Sequence, residues 1–111
     1  MFNEISINCK PTLVEVQAKW SGGSHLMDLI ITKIEEEFHK QINVIRIDLE
    51  IHREFLSQFG IESAPALLIL SNGQIIKVIK ETLSRKSLEK IVRDLIIRNK
   101  STFEESQTSN S

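Results

Sequence analysis

Five consecutive apolar residues, Ala66-Leu67-Leu68-Ile69-Leu70, stand between Pro65 and the dipeptide Asn72-Gly73. An unbroken apolar run of this length reads as a strand buried on both faces. Asn-Gly between two such runs is the strongest short-range hairpin signal, because both residues tolerate the positive φ angles of a two-residue turn. The return strand is Gln74 to Lys80, although its apolar and polar positions alternate unevenly. This pair must be antiparallel.

The chain ahead of the hairpin demands the opposite arrangement. Thr12 to Ala18 reads as a strand with one acid, Glu15, inside it. Trp20-Ser21-Gly22-Gly23-Ser24 breaks the pattern. Leu26 to Lys40 then reads as a helix, with Leu26, Leu29, Ile30, Ile34 and Phe38 at helical spacing and Lys33, Glu36 and Lys40 on the other side. Asn43 to Asp48 gives a second strand, and a shorter helix is expected over about Ile51 to Phe59, stopped by Gly60. A strand–helix–strand unit of this kind pairs its strands in parallel. Ser84 caps a last helix from about Arg85 to Arg98, with Leu88, Ile91, Val92, Leu95 and Ile96 inward. The expected architecture is α/β, a mixed central sheet with helices on both faces. Residues 1–98 form one domain, and the polar segment 99–111 is expected to be a disordered tail.

Composition narrows the function classes. With 14 Lys+Arg against 15 Asp+Glu the formal charge is -1, which argues against nucleic acid, whose phosphates need a clustered cationic excess. A single cysteine, Cys9, excludes an internal disulfide and any cysteine-held metal or cluster, and reads as a free thiol. His25, His39 and His52 show no ligand spacing. No metal or cofactor is expected. No secretory signal or bilayer-length apolar stretch is visible, so the expectation is a cytoplasmic protein without membrane contact.

Several ordered landmarks carry a family resemblance. Leu13-Val14-Glu15-Val16-Gln17-Ala18-Lys19-Trp20-Ser21-Gly22-Gly23-Ser24 resembles the active-site segment of thioredoxins, a strand followed by Trp-Cys-Gly-Pro-Cys. Phe59-Gly60-Ile61-Glu62-Ser63-Ala64-Pro65-Ala66-Leu67 resembles the family's second signature. Asn72-Gly73 and Leu83-Ser84 match its hairpin and its entry to the last helix. The resemblance covers about residues 11 to 97, and the usual first strand and helix are cut down to Phe2-Asn3-Glu4-Ile5.

What it implies is a thioredoxin fold without thioredoxin chemistry. Ser21 and Ser24 occupy the positions of the two redox cysteines. Disulfide exchange needs an attacking thiolate and a second thiol to resolve the mixed disulfide, and a serine oxygen replaces neither. No dithiol–disulfide oxidoreductase activity is expected. The resemblance makes the Ala64-Pro65 bond cis and lines a peptide groove with Trp20, the Ser21–Ser24 turn, Ala64, Pro65 and Glu81. It pairs a buried Glu15 with Arg46, which reads as a structural ion pair now that the thiol is gone. Gln17, Gly23, Leu29 and Glu81 depart from the family's usual residues at their positions. Taken alone, Trp20 fits either a partner anchor or a residue packed over the helix start, and Ser21 fits a helix N-cap better than a phosphate site. The reading is a redox-inactive binding module for a protein or extended peptide, related to cell redox proteins. The alternative is an active thioredoxin-type oxidoreductase whose two cysteines were exchanged for serine.

Overall fold

The computed structural model describes the backbone of residues 10–109 and the side chains of residues 10–98. Cys9 and the Phe2–Ile5 segment lie outside the described residues. In chain order the elements are β1 (Thr12–Gln17), α1 (Gly22–Phe38), β2 (Asn43–Asp48), α2 (Arg53–Ser57), β3 (Ala66–Ser71), β4 (Gln74–Ile79) and α3 (Arg85–Ser109). The strands form one sheet in the order β2-β1-β3-β4. The β1–β2 pair is parallel and the β1–β3 and β3–β4 pairs are antiparallel, so the mixed sheet expected from the sequence is present.

The period-2 alternation of strand side chains sorts the core into two layers. Leu13, Leu67 and Ile69 point to one face, where they meet Met27, Ile31 and Ile34 of α1 and Leu88 and Val92 of α3. Val14, Val16, Leu68 and Leu70 point to the other, against Leu56 and Ile61. β3 is buried from Ala66 to Leu70, as its continuous apolarity demands.

The hairpin turns through Asn72 (φ 54°) and Gly73 (φ 77°), the positive pair that Asn-Gly supplies. Ile69 pairs with Lys77 but Leu70 pairs with Ile75, so Ile76 is the extra residue of a β-bulge. This explains the uneven alternation of the return strand.

Three helix expectations need correction. α1 starts at Gly22 rather than Leu26, and its inward stripe is Ser24, Met27, Ile31, Ile34 and Phe38. Leu26 and Leu29, expected inside, are 53% and 65% exposed. The helix is apolar around much of its circumference, so more than one phase fits the periodicity. α2 is shorter than expected, Arg53–Ser57, with Gly60 (φ 74°) beyond it. α3 continues to Ser109 instead of ending at Arg98. No Gly or Pro follows Gly73, so nothing in the sequence interrupts the helix there.

Candidate functional site

β1 delivers the chain to a turn at its carboxyl end. Ser21 takes an extended conformation (φ -101°, ψ 115°) and caps α1, its Oγ accepting from the Ser24 N–H at 3.1 Å. The Ser21 hydroxyl in turn donates to the Ala64 carbonyl oxygen at 3.1 Å. Ser24, 3% exposed, accepts the Ala18 N–H at its Oγ, also at 3.1 Å. The same two hydroxyls thus cap a helix, join two loops and satisfy a buried backbone donor.

The Ala64-Pro65 peptide bond is cis. Gly23 lies against this proline: a Cβ there would sit 3.1 Å from Pro65 Cδ, whereas one on Gly22 would meet nothing within 4 Å. Trp20 stands out from the turn, 65% exposed. Glu81 is also exposed, and Ile79, two residues before it, pairs with Leu67, two residues after Pro65. The fold thus brings the Ser21–Ser24 turn, Ala64 and Pro65 into contact, with Trp20 exposed beside the turn.

The adjacent Ser24 and His25 make no catalytic dyad. His25 Nε2 lies 3.2 Å from the Lys19 carbonyl oxygen, on the exposed side, while Ser24 is turned inward. Among the described residues no group of three or more His, Cys, Asp or Glu side chains is placed to hold a metal ion.

Glu15 is fully buried on β1, opposite Arg46 on β2. Arg46 Nε is 3.3 Å from Glu15 Oε1. Its hydrogen bonds nevertheless go elsewhere: Nε donates to Asp28 Oδ1 at 2.8 Å, Nη1 to Glu35 at 3.2 Å and Nη2 to Thr32 at 3.2 Å. Asp28 Oδ1 also accepts from Gln17 Nε2 at 2.9 Å. Among the described residues neither Glu15 oxygen has a hydrogen-bond partner. The expected buried ion pair is therefore half buried, since the Arg46 side chain stays 30% exposed and turns to the carboxylates nearer solvent. Loss of hydration pushes the Glu15 carboxyl up to about 8, with Asp28 adding to the rise. Asp28 is held below the ordinary carboxylate range, chiefly by its hydrogen bond from Arg46.

Sequence reasoning misses Asp28. The signal for it is Gln17, which shares a strand face with Glu15 and needs a polar partner from the helix above.

Comparison with known proteins places these features. Residues 1–94 match the family described as Thioredoxin. A thioredoxin of Porphyra purpurea is 26% identical over 93 residues, covering 84% of this chain and 87% of the relative. Thioredoxin 1 of Nostoc sp. is 27% identical over 84 residues, covering 72% and 78%. A mutant thioredoxin from Halobacterium salinarum superposes with a TM-score of 0.75 at 15% identity, covering 84% of this chain and 80% of that one. With one cysteine in the sequence, a redox dithiol is absent. Among the described residues no helix is long and apolar enough to cross a membrane. The chain belongs to the thioredoxin family.

Proposed function

We propose that this protein is a non-catalytic member of its family, binding a protein or extended peptide across Trp20, the Ser21–Ser24 turn, Ala64 and Pro65, with Glu81 at the groove's edge. In this reading Ser21 and Ser24 stand where the redox cysteines of relatives stand. The observation that carries it is the engagement of both serine hydroxyls inside the protein: Ser21 Oγ with Ala64 and Ser24, Ser24 Oγ with Ala18. Hydroxyls used in this way hold the turn's shape and offer no nucleophile, while Trp20 beside them keeps most of its surface for a partner. A single cysteine without an internal partner suits a reducing, cytoplasmic setting.

The test combines insulin disulfide reduction with binding of reduced, alkylated insulin B chain, followed by Trp20 emission. The chain should give no turnover, a saturable emission change with the B chain, and loss of B-chain binding in Trp20→Ala measured by calorimetry. Turnover by the unaltered chain, or absence of saturable binding, overturns the reading. The Ser21→Cys/Ser24→Cys variant sorts out the groove. Insulin reduction by this variant means the groove still admits disulfide substrates and favours cysteines exchanged for serine in an otherwise active site. Inactivity means the groove serves other partners.

A further inference from the structure

The β-bulge residue Ile76 and its neighbour Lys77 border a cavity of about 200 Å³ between the hairpin and α3, whose floor is Ile69, Ile91 and Leu95. Ile69 pairs with Leu13 near the start of β1, so the cavity lies away from the Ser21–Ser24 turn at the strand's other end. α3 supplies two charged rim residues, Asp94 and Arg98, and β4 supplies a third, Lys77. All three are exposed. Among the described residues none of them enters an ion pair, although Asp94 and Arg98 have the i, i+4 spacing that favours one.

We infer that this cavity is a binding site for a free α-amino acid with an apolar side chain. The floor is aliphatic and takes the side chain. Lys77 and Arg98 offer the donors that a carboxylate accepts, and Asp94 offers an acceptor for an ammonium group. Asp94 and Arg98 stand one helical turn apart, Cβ to Cβ about 5–6 Å, a separation that neighbouring ammonium and carboxylate groups on one carbon can bridge. A simple fatty carboxylate matches the two cations and the floor but meets Asp94 with like charge. The rim therefore selects for the zwitterion.

The experiment is a titration of the ¹⁵N-labelled full chain with L-leucine, L-phenylalanine and 4-methylpentanoate, which is leucine without its ammonium group. Both amino acids should shift the amides of Ile69, Lys77, Ile91 and Leu95 saturably, and 4-methylpentanoate should bind more weakly by about tenfold or more. Asp94→Asn should weaken leucine by about the same factor without weakening 4-methylpentanoate. Arg98→Glu should abolish both. These side chains are exposed, so circular dichroism should stay unchanged. Trp20→Ala should leave leucine binding as it was. Absence of saturable shifts, equal binding of leucine and 4-methylpentanoate, indifference to Asp94→Asn, or shifts centred on Ser21–Ser24 would each overturn the inference.

Discussion

Two polar regions on either side of β1's carboxyl end have met opposite fates. In the Ser21–Ser24 turn each serine hydroxyl has a partner, and the turn is closed by 3.1 Å hydrogen bonds to Ala18 and Ala64. Glu15, on the same strand, has two oxygens with no hydrogen bond among the described residues and a carboxyl pushed up to about 8. Bonded serines hold local geometry at little electrostatic cost, whereas a buried acid without hydrogen bonds opposes folding whenever it ionises. The contrast teaches which of the two regions stabilises this protein: the turn does, and the acid does not.

The largest effect should come from Glu15. In the unfolded chain the carboxyl ionises near 4.5, but in the folded chain near 8. Between those values the unfolded state holds fewer protons, so stability falls as pH rises from about 4.5 to 8 and levels off above. Glu15→Gln should remove that slope and raise stability at pH 9 by several kcal/mol, since each tenfold change in the ionisation equilibrium is worth about 1.4 kcal/mol. Urea unfolding at pH 5, 7 and 9 tests this, and parallel curves for the two proteins would break the contrast. Asp28→Asn sharpens it: removing the neighbouring charge should bring the Glu15 midpoint below its present value in a carboxyl ¹³C titration. An unmoved midpoint would leave burial as the sole cause.

The turn should respond in the other direction. Ser24→Ala strands the buried Ala18 N–H and should cost about 1–3 kcal/mol, measured by the same unfolding. Ser21→Ala loses the helix cap and should cost about 1 kcal/mol. Stabilisation by either change would mean that the hydroxyl bonds do not hold the turn. The smallest effect belongs to Gly22, where a Cβ meets open space. Gly22→Ala should stabilise by less than about 1 kcal/mol, detectable as a small rise in Tm.

Most of the fold is legible in the sequence because its signals are local. The Ala66–Leu70 run, Asn72-Gly73 and the capping Ser84 each specify their own conformation, and β2 matches its expected bounds to the residue. The phase of α1 is not legible, since Leu26 and Leu29 satisfy the same spacing as the true core residues, and only the sheet decides between them. The convergence of Ser21–Ser24 on Ala64 and Pro65 comes from the family resemblance, not from periodicity. The allegiance of Arg46 is illegible for a related reason. Register puts it opposite Glu15, but hydration draws the guanidinium outward to Asp28, Glu35 and Thr32.

The bond from Ser21 Oγ to the Ala64 carbonyl joins residues 43 apart in sequence. A contact of that range spans α1, β2 and α2, and the entropy of closing so long a loop is met by the packing of those elements. The seam is therefore a tertiary contact, not a local one, and the only tryptophan in the protein, Trp20, adjoins it. Its emission should therefore report the closure of the Ser21–Ser24 turn onto Ala64 during refolding, a contact that local helix formation alone does not make. Nature has put one fluorophore beside that stitch.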